Sequence, residues 1–74
     1  MTKPNPDELT PREVEVLLQI ASGRPNKEVA IVLGISEATV ENHLTNIFRK
    51  LDVTNRTEAA IHAIRQGLSY RGNP

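Results

Sequence analysis

NKEVAIVLGISEATVENHLTNIFRKL, residues 26 to 51, reads as two short helices joined by a tight turn. The first is predicted over about Lys27 to Leu33, the turn over Leu33-Gly34-Ile35-Ser36, and the second over about Glu37 to Leu51. Gly34 falls where the first helix must stop, because glycine takes positive φ at no steric cost. Ser36 is the natural N-cap of the next helix, its hydroxyl accepting from an exposed backbone amide. Ala30, one turn before Gly34, lets the two helices cross closely, and Val40 fills the angle between them. A small residue, a glycine four later and an apolar β-branched residue six after that is helix-turn-helix spacing. An αα-hairpin in an unrelated helical protein carries the same spacing, so this stretch alone leaves both open.

The 74-residue chain is long enough for one small, marginally stable domain. It has no cysteine, which removes a disulfide framework, a thiolate metal site and a cysteine nucleophile. No apolar run approaches the roughly 20 residues that span a bilayer. The polar, proline-broken start MTKPNPDE is no signal peptide, so the expected location is the cytoplasm, with no membrane partner. Nine basic and nine acidic residues give zero net charge, unusual for a nucleic-acid binder. The distribution is uneven: Asp7, Glu8, Glu13 and Glu15 crowd the first fifteen residues, against Lys3 and Arg12. From Asn42 onward five basic residues (Arg49, Lys50, Arg56, Arg65, Arg71) meet two acidic ones (Asp52, Glu58), a local excess of three. One positive face on a neutral molecule follows.

Residues 1–8 read as a tail or linker, 9–68 as the folded domain and 69–74 as a second flexible tail. A linker at the start fits either a free-standing domain or the C-terminal piece of a longer protein. The first helix begins at Pro11, with Thr10 as N-cap and Glu13 completing a capping box. Leu9 is placed to fold back on Val14, and Val14, Leu17, Leu18 and Ala21 are the expected buried face. Gly23 and Arg24-Pro25 end this helix. Asn26 is expected to cap the second helix, with Val29, Ala30 and Leu33 inward. Lys27 stands in its first turn, where the helix dipole disfavours a cation unless an anion lies nearby.

In the third helix Val40, Leu44, Ile47 and Leu51 form the core stripe, with Phe48 as a further anchor. The same spacing rotated gives Ala38, Asn42, Thr45 and Arg49, a polar stripe uncharged until its C-terminal end. Asparagine matches the donor and acceptor of adenine, and threonine can touch a thymine methyl. Arg49 and Lys50 complement the dipole and reach toward phosphates. His43, beside the core stripe, reads as a half-buried, hydrogen-bonded histidine, since no catalytic partners accompany it. Asn55 and Glu58 make a second capping box for a helix over about Arg56 to Gln66, ended by Gly67. Ala59, Ala60, Ala63 and Gly67 form a small-residue stripe for close packing. Thr57, Ile61, Ile64 and Leu68 form a second apolar stripe, expected to meet a twin copy.

Several blocks together resemble one known family: Leu9-Thr-Pro-Arg-Glu-Val-Glu-Val-Leu17, Asn26-Lys-Glu-Val-Ala30, Leu33-Gly-Ile-Ser36, Thr39-Val40, His43, Asn46-Ile47, Lys50-Leu51 and Arg56-Thr-Glu-Ala59. They are similar to the LuxR-type domain, also called GerE-like or FixJ/NarL-like. The resemblance spans about residues 9 to 68. It implies an all-α, four-helix LuxR-type helix-turn-helix bundle, a role in bacterial transcription regulation, and the output domain of a two-component response regulator. It implies double-stranded promoter DNA as partner, a homodimer on DNA through the fourth helix (Thr57, Ile61, Ile64, Arg65), and RNA polymerase as a further contact. By position, base-facing residues fall on Glu41, Asn42 and Thr45, while Thr39, Asn46 and Lys50 lie near the DNA backbone. Lys27 and Arg49 join them as phosphate contacts on charge. Glu41 and Thr45 depart from a family habit of lysine, which leaves the operator open and suggests weak intrinsic affinity. Thr10, Arg12 and Glu13 match a block read as capping and packing.

Two other readings compete. A sigma-factor region 4 domain has a similar helix-turn-helix, but the Arg56-Thr-Glu-Ala59 block speaks against it. A helical protein-interaction or dimerisation module fits the zero net charge and is disfavoured by the polar stripe. No enzyme is expected: two histidines, no Gly-rich phosphate loop and no paired carboxylates leave no catalytic set, no metal site and no cofactor.

Overall fold

The computed structural model describes residues 8–67 of the chain. Four helices follow one another: α1 (Pro11–Ala21), α2 (Asn26–Leu33), α3 (Glu37–Leu51) and α4 (Arg56–Arg65). No strand occurs among the described residues. The all-α expectation holds, and α3 has the boundaries read from the sequence. Leu68 and the tail over 69–74, like residues 1–7, lie outside the described residues.

Local chemistry sets most of the ends. The Thr10 hydroxyl accepts from the Glu13 amide at 3.1 Å, and the Glu13 carboxylate accepts from the Thr10 amide at 2.9 Å, closing the first capping box. Each such cap is worth about 1 kcal/mol. Gly34 closes α2 in the left-handed region, at φ 71°, so that its amide and that of Ile35 reach back to the last turn. Ser36 accepts from the Thr39 amide at 3.0 Å and starts α3. At the other end of α3, Asp52 turns the chain at φ 58°, a left-handed position held by a residue with a Cβ.

Three details of capping and facing differ from the sequence reading. Asn26 is not the cap of α2 but its first residue; Pro25 precedes it in extended conformation, with no side-chain cap. The Asn26 carbonyl oxygen instead accepts from the Arg56 guanidinium at 2.6 Å. Asn55 does cap α4 by accepting from the Glu58 amide, but the Glu58 carboxylate reaches past it to the amide and hydroxyl of Thr54. Finally, α1 buries Glu13, Val16, Leu17, Gln19 and Ile20, while Val14, Leu18 and Ala21 are only half-buried. The helix is therefore rolled by one residue, about 100°. The stripe chosen ends on Ile20 where the expected one ended on Ala21, and it tolerates the Glu13 carboxylate because the Lys50 ammonium meets it.

The core comprises Val16, Leu17, Ile20, Val29, Ala30, Val40, Leu44, Ile47, Ala59 and Ala63, with Leu9, Leu33, Ile35, Phe48, Leu51 and Val53 packed around it. α1 lies across α3 and α4, and α2 packs chiefly on α3. Ala59 and Ala63 carry the close approach of α4; Ala60 is half-buried and Gly67 exposed, so the small-residue stripe is shorter than its spacing suggested. His43 is half-buried, as expected beside the core stripe, but its side chain has no hydrogen-bond partner among the described residues.

Candidate nucleic-acid interface

The core fixes α3 along Val40, Leu44 and Ile47, which leaves the opposite stripe free. Ala38, Asn42, Thr45 and Arg49 are all exposed, and so is Glu41. Residues three and four apart on a helix are surface neighbours, about 5–6 Å between Cβ atoms, so Glu41, Asn42 and Thr45 form one small triangle. The Thr45 hydroxyl donates to the Glu41 carbonyl at 3.1 Å, a bond back along its own helix. Arg49 donates to the Asn46 side-chain oxygen at 3.3 Å, which ties the end of the stripe to a half-buried neighbour.

Around this stripe the remaining predicted residues separate. Lys27 is exposed in the first turn of α2, without contradiction to a role on an anion. Thr39 is half-buried and shares a hydrogen bond with the Ser36 hydroxyl at 2.9 Å, so it supports the cap of α3. Lys50 differs from its expected place on a phosphate. Its ammonium donates to the Glu13 carboxylate at 2.7 Å and to the Glu8 carbonyl at 3.2 Å. The two side chains are only 10% and 5% exposed, so this is a buried ion pair between the ends of α1 and α3. Burial pushes the Glu13 carboxyl up, but the Lys50 ammonium and the Thr10 amide and hydroxyl outweigh it and hold it below the ordinary value. Lys50 sets where α3 lies instead of extending from it.

Arg56 is the residue that sequence reasoning passed over. From the first turn of α4 its guanidinium donates to the Asn26 side chain and, at 2.7 Å, to the Arg24 carbonyl. It thus ties α4 to the start of α2. The signal was an arginine in a helical first turn, where the dipole disfavours it, the same argument that singled out Lys27.

On α4, Thr57, Ile61, Ile64 and Arg65 are exposed together, Ile64 by 64%. Beside them Val53, Glu58, Ile61, His62 and Arg65 line an open groove of about 330 Å³. A second apolar pair, Ile31 and Val32, is exposed on α2 and was not foreseen.

A four-helix domain with a capped helix-turn-helix and a free polar stripe on its second unit is the architecture of a DNA-reading module. The chain belongs to the luxR family of bacterial regulatory proteins, whose sequence profile matches residues 7–63. It is 52% identical over 62 residues to the transcriptional regulatory protein LnrK of Bacillus subtilis, covering 84% of this chain and 28% of the relative. It is 50% identical over 62 residues to the transcriptional regulatory protein LiaR of the same organism, covering 84% and 29%. The response regulator protein VraR of Staphylococcus aureus is 47% identical over 60 residues, covering 81% and 29%. The chain thus spans less than a third of the length of these relatives. Family membership makes it a domain of a DNA-binding transcription regulator and sets the sigma-factor alternative aside. No helix among the described residues is long and apolar enough to cross a membrane.

Proposed function

We propose that this chain is the sequence-specific, double-stranded-DNA-binding output domain of a bacterial response regulator, at work in the cytoplasm. α3 lies in the major groove of a promoter. Asn42, Thr45 and Glu41 touch base edges, and Lys27, Thr39 and Arg49 hold the backbone with Asn46 supporting Arg49. Lys50 serves by fixing the C-terminal end of α3 to α1. Two copies meet through Thr57, Ile61, Ile64 and Arg65 of α4, which places two copies of α3 on neighbouring half-sites. The relatives' greater length and the printed name of VraR favour a signal-receiving domain in front, within a two-component system, and RNA polymerase is the partner on the promoter.

The observation that carries this reading is the exposure of the Ala38, Asn42, Thr45 and Arg49 stripe while Val40, Leu44 and Ile47 on the other side of the same helix are buried. With Lys27 and Arg49 as the two backbone-contacting cations of each protomer, log affinity against log salt should fall with a slope of roughly −2 for one domain and −4 for two. Mobility shifts on a selected duplex test it: Asn42→Ala should weaken binding by about 1–3 kcal/mol. If Asn42→Ala and Arg49→Ala both bind as the parent does, the assignment of this stripe is wrong. The exposed Ile31, Val32, Ile61 and Ile64 favour one other reading, a protein-interaction module that never meets DNA. That module would show no salt-dependent affinity for any duplex.

A further inference from the structure

We propose that the reading triangle of α3 selects against guanine on the DNA strand it contacts, and takes cytosine under Glu41, adenine under Asn42 and a thymine methyl beside Thr45. The inference rests on the DNA-binding reading and specifies what that surface reads. Its origin is the disposition of hydrogen-bond donors. The commonest specific contact to guanine is an arginine or lysine donating to O6 and N7, both acceptors. None stands in the triangle: Glu41 is an acceptor only, and the Thr45 hydroxyl has given its proton to the Glu41 carbonyl. Toward a base, Thr45 therefore offers lone pairs and a methyl group.

The two cations nearest the triangle are also engaged. The Arg49 guanidinium is drawn to the Asn46 oxygen, and the Lys50 ammonium is buried on Glu13. Only the Asn42 amide donates from the triangle, and an asparagine amide is satisfied on both sides by the N6 amino group and N7 of adenine. A guanine under Glu41 would bring its N7 and O6 acceptors against a carboxylate and leave all of them desolvated without donors, the costly case. Cytosine presents an N4 amino group at the same place. From Glu41 to Thr45 the helix advances about 6 Å, roughly two base-pair steps. The preference is therefore a short one, over about three adjacent positions.

The test is a selection from randomised duplexes with the 74-residue chain at low salt, followed by sequencing of the bound pool. The parent should deplete guanine about fivefold or more at the contacted positions. Glu41→Lys should reverse this at one position, enriching guanine there about fivefold or more, a switch that loss of folding cannot produce. Thr45→Val, which keeps the methyl and removes the hydroxyl, should leave the thymine preference in place. A parent pool enriched in guanine at these positions overturns the proposal, as does a Glu41→Lys pool with unchanged base preferences. If no duplex is retained by any variant, the DNA-binding reading has itself failed, a result distinct from retention without the predicted bias.

Discussion

α3 and α4 start alike and end in opposite surfaces. Both are capped by a side-chain oxygen on the amide three residues on, Ser36 for α3 and Asn55 for α4, and both bury one stripe against α1. The free side of α3 is Ala38, Glu41, Asn42, Thr45 and Arg49; that of α4 is Thr57, Ile61, Ile64 and Arg65. The first gains nothing from drying and has hydrogen-bonding groups to satisfy. The second gains about 25 cal/mol for each Å² of apolar surface removed from water. One small core therefore presents a polar surface on α3 and a more apolar one on α4, suited to partners of different chemistry.

The sharpest way to break this contrast is at the border of the polar surface, where Arg49 and Lys50 stand side by side with opposite fates. Lys50→Ala leaves the Glu13 carboxylate buried without its counter-ion and should cost about 3 kcal/mol of stability in urea unfolding. For a domain whose total is on the order of 5 kcal/mol, that is most of it. Arg49→Ala should stay within about 0.5 kcal/mol of the parent. Equal stability of the two variants would remove the line drawn between held and free parts of α3.

A smaller effect is expected on the apolar side. Ile64→Asp should lower affinity for a duplex with two half-sites about tenfold, which is about 1.4 kcal/mol, and leave affinity for a single half-site and the stability of the protomer nearly unchanged. Equal losses on both duplexes would show that α4 does not hold two copies together.

The smallest effect follows pH. Because the Glu13 carboxyl is held below its ordinary value in the fold, it contributes stability above the unfolded glutamate value of about 4.3. That contribution fades as pH falls through the lower folded-state value. Melting temperatures between neutral and acid pH should drop less steeply for Glu13→Gln than for the parent across that window. Parallel curves would mean that Lys50 is held by packing of its stem alone. The effect is small because desolvation of the carboxyl already offsets much of what its partners supply.

What could be read from the sequence follows the range of the forces involved. Thr10, Gly34, Ser36 and Asn55 act within three or four residues, and their roles were legible because both partners sit in one short window. The free stripe of α3 was legible because helical spacing separates it from Val40, Leu44 and Ile47. One misreading is local, the Glu58 carboxylate going to Thr54 and not to Asn55; the others involve partners far along the chain. Asn26 looked like a cap until Arg56, thirty residues away, claimed its oxygen. The buried face of α1 was set one residue off because apolar spacing alone points to Val14, Leu17, Leu18 and Ala21, while the stripe that is buried begins on Glu13, whose charge is met by Lys50, thirty-seven residues away. Lys50 in turn was placed on a phosphate by its position at the end of α3 and by resemblance, and its actual partner, Glu13, lies on another helix.

The tether from Arg56 to Asn26 and Arg24 has a mechanical consequence. It braces the foot of α4 against the entrance to α2, two elements thirty residues apart along the chain. A twin seated on α4 would push on a strut and not on a hinge. Two such domains joined back to back would act as a caliper of fixed opening, tolerant of what is written between its points and intolerant of a change in their distance.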